Sequence, residues 1–222
     1  MHFHVVTLFP EVIEQYANAS ILGRAQKNKL IKVKAIQLWN FAGNKWNKVD
    51  ERAYGGGPGM VLRAEPIVKA VQSVERKLKA KSPKLKAKVI ITAAGGKPLT
   101  NAYARTLAKK YKDVIIVCGR YEGIDARAKK ILRAEEVSVG DAILTGGEIP
   151  ALAIIDATAR QVPGVLGKFE SLEEKRVASH EIYTRPEILE HNGKKYRVPK
   201  VLLSGHTAKI EEWKQKKRSK PE

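Results

Sequence analysis

The sequence predicts an α/β fold built on a parallel sheet, and three observations carry that reading. Apolar runs of strand length alternate with segments of helical periodicity through most of the chain. Two of those runs, Val89-Ile90-Ile91-Thr92 and Asp113-Val114-Ile115-Ile116-Val117-Cys118, are continuously apolar, as strands covered on both faces are. Both lead into glycine, at Gly95-Gly96 and Gly119, which puts backbone-rich loops at the carboxyl ends of strands, where open α/β sheets bind ligands.

In order along the chain, His2 to Phe9 reads as a strand whose apolar run is too short for a signal peptide. Pro10 to Ala17 reads as a short helix, and Asn18 or Ser20 is placed to cap a second helix through Gln26, because their side-chain oxygens accept from orphan amides. Ile31 to Trp39 alternates apolar and polar residues, the period of a half-exposed strand with Lys32 and Lys34 on one face. Asn40 to Gly59 is a long loop containing Tyr54-Gly55-Gly56-Gly57-Pro58-Gly59. So many glycines are costly to order, and of the two usual readings of such a loop, functional or disordered, the functional one is favoured.

Ala64 to Lys81 carries Ile67, Val68, Val71 and Val74 at helical spacing, the pattern of a core-packing helix. Its tail crowds Lys77, Lys79, Lys81, Lys84, Lys86 and Lys88, which read as readily as a solvated face as a nucleic-acid contact. After the next strand, Thr100 or Asn101 is placed to cap a helix. Two further glycine clusters, Gly119 to Gly123 and Gly140 to Gly147, precede the apolar helix Ala151 to Arg160, which Pro150 opens. From Arg160 the texture changes. Residues 161–182 read as an interdomain linker between a domain over 1–160 and a small, mainly helical unit over 183–222, whose basic residues are interleaved with tyrosine and tryptophan.

Composition narrows the function. Against 42 Lys+Arg stand 23 Asp+Glu, a formal charge of +19, which implies a polyanionic partner, nucleic acid first. No run approaches membrane-spanning length, so no membrane partner is expected. The lone Cys118 rules out an intramolecular disulfide and suits a reducing, cytoplasmic location. No histidines are spaced as a metal set, and His2 and His4 read as packing or surface residues. The glycine clusters match neither G-x-G-x-x-G nor a P-loop, since Pro98 follows Lys97 where Ser or Thr would hold magnesium.

Taken together, Asp50 to Met60, Gly119-Arg120-Tyr121-Glu122-Gly123, Ser138-Val139-Gly140-Asp141, Gly146-Gly147-Glu148-Ile149-Pro150, Ile155-Asp156-Ala157, Pro163 to Gly167, Tyr183-Thr184-Arg185-Pro186 and Val201 to His206 resemble the bacterial tRNA (guanine-37-N1)-methyltransferases of TrmD type. The resemblance implies a SPOUT fold, with a deep trefoil knot holding S-adenosyl-L-methionine, and a homodimer with its active sites at the subunit interface. It implies the tRNA anticodon arm as partner, and leaves magnesium open as a second cofactor. Rival readings are a SPOUT-fold RNA-binding protein that has lost catalysis and a SPOUT methyltransferase acting on ribosomal RNA.

Carried over by position, the cofactor residues are Thr92, Ala93, Gly95, Gly119, Tyr121, Glu122, Gly123, Ser138, Val139, Gly140, Ala142, Leu144, Gly146, Gly147 and Pro150. The tRNA-facing residues are Tyr54, Gly55, Gly56, Gly57, Gly59, Asp156, Arg185, Ser204 and His206. Arg160 matches the family's catalytic arginine, with a salt bridge to Asp156 as its structural alternative. Glu122 matches a residue that binds the target guanine. The chain departs from the family at Ala53, Ala142 and Thr207, and Lys175 stands where a catalytic aspartate is usual. Glu174 is assigned the general base, with Glu173 next and Lys175 third.

Overall fold

β-branched residues dominate the strand runs, and they assemble as the alternation requires. The computed structural model describes residues 1–43, 45–82, 87–166 and 181–216. Five parallel strands, β1 (His2–Thr7), β2 (Lys32–Gln37), β5 (Lys88–Pro98), β6 (Asp113–Val117) and β7 (Glu135–Ser138), lie in the order β2-β1-β6-β5-β7. The central β6 is buried along its whole length, which its unbroken apolar run anticipates. One face packs under α1 (Pro10–Ala17), α2 (Ser20–Lys27), α4 (Asn101–Lys110) and α6 (Glu148–Ala159) around Phe3, Val5, Ile116 and Ile155. The other packs under α3 (Ala64–Lys81) and α5 (Ala126–Leu132) around Leu62, Ile67, Val71 and Ile115.

Several local expectations change. Neither Asn18 nor Ser20 caps α2: its N-cap is Ala19, Ser20 sits at φ 46° as the first helical residue, and the Asn18 side-chain oxygen accepts from Gln26 Nε2 at 3.0 Å. Of the two candidates for α4, Thr100 is the cap and accepts from Tyr103 N at 3.1 Å. Helix α6 begins at Glu148, two residues before Pro150, yet the proline remains in the first turn, where no amide has an intrahelical partner. The loop over 40–59 contains β3 (Asp50–Glu51), which pairs antiparallel with β4 (Val61–Leu62).

The chain divides into compact units at Met1–Gly167 and Lys168–Glu222. In the second, a hairpin of β8 (Ile188–His191) and β9 (Lys194–Arg197), which the sequence reading did not anticipate, precedes the helices α7 (Lys200–Leu203) and α8 (Thr207–Lys216), so that helix still outweighs strand among the described residues. Its turn is Asn192-Gly193, with φ 49° and 72°, the pair of left-handed residues that a two-residue hairpin demands. Among the described residues no helix is long and apolar enough to cross a membrane.

At the amino end of β6, Asp113 is 1% exposed and its Oδ1 accepts from His2 Nδ1 at 3.1 Å and His4 Nε2 at 3.0 Å. Burial pushes the His4 imidazole below its ordinary value of 6.5, outweighing the Asp113 hydrogen bond and charge, with His2 and Lys34 acting in the same direction as burial. A histidine whose folded value is depressed stabilises the fold when neutral, because the unfolded chain binds the proton first as pH falls. Unfolding free energy should therefore decline as pH drops from about 7 toward 5. Urea titrations at several pH values should show a shallower decline in His4→Gln, which keeps a donor for Asp113 and cannot titrate.

Candidate functional site

The exits of β5, β6 and β7 and the first turn of α6 enclose a cleft of about 450 Å³ at the carboxyl ends of the strands. Its walls include Thr92 and Ala93 from the first exit and Gly119, Tyr121, Glu122 and Gly123 from the second. The third contributes Ser138, Val139, Gly140, Ala142, Leu144, Gly146 and Gly147, and Pro150 closes the set. Gly95 is not among them. It sits in a bulge where the β5–β7 register shifts between Thr92 and Lys97, with open space where a Cβ would stand, and the glycine that backbone contact demands there is Gly96, against Val137 N.

The walls are held by buried polar contacts. The Thr92 hydroxyl donates to Val117 O at 3.3 Å and accepts from Gly119 N at 3.1 Å, tying the β5 exit to the β6 exit. Gly147 N donates to Gly119 O at 2.7 Å, and a Cβ on Gly147 would lie 2.5 Å from Gly119 N. Only glycine allows α6 to start this close. Ser138 Oγ donates to Gly140 O at 2.8 Å and accepts from Gly140 N at 3.3 Å, curling the third loop back on itself. Tyr121 stands at φ 59°, a left-handed conformation that a bulky residue keeps only where its surroundings dictate it.

Glu148, the first residue of α6, is 2% exposed. Its Oε1 accepts from Thr7 Oγ1 at 2.7 Å and its Oε2 from Arg120 Nε at 2.9 Å, while the Arg120 guanidinium lies 4.4 Å from the Phe9 ring centroid. The sequence pattern does not announce this set. Its one signal is a carboxylate opening an otherwise apolar helix, and helix N-termini favour anions. Cys118, beneath it, is fully buried, and that burial, then the Glu148 charge, pushes its thiol well above the ordinary value. It is an inert packing residue.

The glycine-rich loop meets the cleft through β4. Glu122 N donates to Met60 O at 3.0 Å, Leu62 N to Gly123 O at 3.0 Å, and Asp125 N to Leu62 O at 2.9 Å. A Cβ on Gly59, whose φ is +99°, would stand 2.7 Å from Glu122 Oε1, so this glycine covers the carboxylate. Tyr54 is 100% exposed, and Gly55, Gly56 and Gly57 have open space around them.

The remaining sequence-derived candidates lie elsewhere. Arg160 caps the far end of α6, and the Asp156 carboxylate accepts from Tyr16 Oη at 2.9 Å, which raises the Tyr16 phenol. Arg185, Ser204 and His206 are exposed in the second unit, where Ser204 Oγ donates to Val201 O at 2.8 Å and accepts from His206 N at 3.3 Å. Glu173, Glu174 and Lys175 fall outside the described residues. Among the described residues no three His, Cys, Asp or Glu side chains gather as a metal set.

The family model described as tRNA (Guanine-1)-methyltransferase TrmD matches residues 1–221. A tRNA (guanine-N(1)-)-methyltransferase of Desulforamulus reducens is 42% identical over 220 residues, covering 97% of this chain and 83% of the relative. Its counterpart in Trichodesmium erythraeum is 44% identical over 218 residues, covering 96% and 90%. Among solved structures, the crystal structure of tRNA (m1G37) methyltransferase from Aquifex aeolicus matches with a TM-score of 0.75 at 40% identity, over 97% of this chain and 88% of that one.

The Glu148 contacts predict a stability effect. Removing one member of a buried, hydrogen-bonded ion pair costs about 3 to 5 kcal/mol, and Arg120, with 24% of its side chain exposed, puts this pair at the low end. Glu148→Ala should lose about 3 kcal/mol in urea unfolding. Thr7→Val, which removes one hydrogen bond to the same carboxylate, should lose about 1.5 to 3 kcal/mol.

Proposed function

The chain belongs to the TrmD family of tRNA (guanine-1)-methyltransferases, and on that premise we propose that it methylates N1 of guanosine 37 in the tRNA anticodon arm, using S-adenosyl-L-methionine and working as a homodimer. The chain is a tRNA guanine-N1 methyltransferase over its whole length, since the family match spans residues 1–221. The observation that carries the finer reading is the cleft at the carboxyl ends of β5, β6 and β7, walled by loop backbone from three strand exits.

The cleft fits the cofactor. Its volume is that of a small-molecule site, and its lining mixes glycines with polar side chains such as Thr92, Tyr121, Glu122 and Ser138, suited to an adenosine and an amino-acid moiety. Thr92, Gly119, Tyr121, Ser138, Gly140, Leu144 and Gly147 would hold it. When bound, S-adenosyl-L-methionine supplies an electrophilic methyl group. For magnesium, which the sequence leaves open, no set of three acidic, histidine or cysteine side chains gathers among the described residues.

The protein's own task is to manage guanine. Its N1 carries a proton at neutral pH, so a base must remove that proton while negative charge gathers on O6. Glu174 takes the proton in this reading, and the Arg160 guanidinium stabilises O6. Glu122, covered by Gly59, grips the guanine edge where the tRNA-facing loop meets the cofactor loop. The base leaves the anticodon stack to reach this pocket, which a loop-walled cleft accommodates better than a groove-reading helix would.

The homodimer reading rests on Arg160. Helix α6 has 12 residues, so its ends are separated by about 18 Å, beyond the reach of an arginine side chain toward its own cleft. A second copy supplies the guanidinium. Beside the cleft, Ile143 and Ile149 are 87% and 58% exposed, an apolar patch that a partner copy would cover. The knot reading draws support from Gly147, where the chain after β7 passes against Gly119 and Thr92 before entering α6. Residues 1–160 form the catalytic domain in this scheme, 161–182 the linker, and 183–222 the tRNA-gripping domain. The enzyme acts where tRNA is, in the cytoplasm.

Labelled methyl should pass from the cofactor to a tRNA transcript carrying guanosine 37 and not to one with that base replaced; equal transfer to both would refute the position. In single-turnover reactions, Arg160→Gln should slow methylation by about 10² to 10³-fold with cofactor affinity unchanged. Glu174→Gln should slow it by about 10²-fold or more. If Glu174→Gln keeps the wild-type rate while Glu173→Gln or Lys175→Met does not, the base is the residue whose loss matters.

A further inference from the structure

Two basic stretches that are distant in sequence meet along β2, at the edge of the sheet away from the cleft. β2 is an edge strand, with Lys32 paired in register to His2 and Lys34 to His4. Both lysines share a face with Ile36, which packs into the layer under α3. Across from them, Lys77 and Lys81 stand one turn apart on α3. Between strand and helix runs a groove of about 760 Å³, lined by these four lysines and by Lys112.

The groove's charge is one-sided. Its carboxylates are Glu14 and Asp113, and Asp113 is buried beneath two imidazoles. The carboxylates that pair with lysines elsewhere in this domain, Glu51, Glu65, Glu135 and Glu136, line no part of it. Within each row the lysines are about 6 to 7 Å apart, close to the separation of successive phosphates along an RNA strand. At the groove's far end Lys32 is in register with His2 and Asp113, six residues before Gly119 at the cleft, so about 20 Å of strand separates that lysine from the cleft.

We propose that the lysines of this groove bind the phosphate backbone of the tRNA substrate, as an anchoring site separate from the cleft and extending to about 20 Å from it at Lys32. The inference rests on tRNA being the substrate. Its consequence is a division between a small pocket that handles one base and a cationic channel that handles charge without reading sequence.

The test compares the wild-type protein with a fourfold variant, Lys32→Gln, Lys34→Gln, Lys77→Gln and Lys81→Gln, and with the same four lysines changed to arginine. Two RNAs are used: full-length tRNA, and a hairpin cut to the anticodon loop and its closing base pairs. For full-length tRNA the glutamine variant should raise KM and the equilibrium Kd about ten-fold, leave kcat unchanged, and reduce the slope of log affinity against log salt by about 0.9 per lost phosphate contact. The hairpin should bind both proteins equally, and the arginine variant should behave as wild type. Unchanged tRNA affinity and salt slope would overturn the proposal, as would an equal loss on both RNAs or a loss of cofactor affinity. Should the wild-type protein transfer no methyl to either RNA, the substrate assignment falls, and the direct binding comparison still decides the groove.

Discussion

The buried carboxylate of Glu148 is the interaction on which the site depends. It lies at the meeting point of three distant segments, accepting from Thr7 at the end of β1 and Arg120 after β6 while opening α6. A charge so enclosed is tolerable only when its oxygens are hydrogen-bonded and a cation is at hand. The helix N-terminus adds favourable partial charge. These requirements lock the β6 exit loop, the start of α6 and the first strand into one geometry, and the cleft is the space this geometry leaves.

Close approach does the rest. α6 is largely apolar because it packs against the sheet and the α1 and α4 helices, and it can begin against Gly119 only because residue 147 has no side chain. On the other flank, the short strand β4 ties the glycine-rich loop to the cleft, so Gly59 and Glu122 are in contact although 63 positions apart in the numbering. Loop motifs that look independent along the chain are thus one wall. That wall bounds a cavity of ligand size.

The charge excess is distributed with the same economy. Acidic groups are placed where they hold structure, as in Asp113 under two imidazoles or Asp125 accepting from Arg127 N at 2.9 Å to cap α5. Many lysines are left on open surfaces. In the second unit not one described residue is fully buried, and its hairpin and helices present Lys194, Lys195, Tyr196 and Arg197 outward. A surface of this kind suits a partner held by many weak, salt-sensitive contacts.

Much of the fold and part of the site were legible along the chain. The apolar runs of β5 and β6, the helical spacing of α3 and the Thr100 cap depend on neighbours within a turn or a strand, and the ordered glycine motifs carried the family resemblance and marked the loops that wall the cleft. Asn192-Gly193 was an equally local signal for the β8–β9 hairpin. Other features depend on groups that meet only on folding: Thr7 with Glu148, 141 positions apart, His2 with Asp113, 111 apart, and two lysine rows brought face to face across β2 and α3. The α2 cap failed for the same reason, since the oxygen of Asn18 was claimed by Gln26. Local propensity and patterning set which segments become strands, helices and loops, so the sequence by itself determined the class of fold and the region of the cleft. Which buried charge is paired, and which surfaces face one another, was decided by tertiary packing, because hydrogen bonding and desolvation act over a few ångströms in space whatever the separation along the chain.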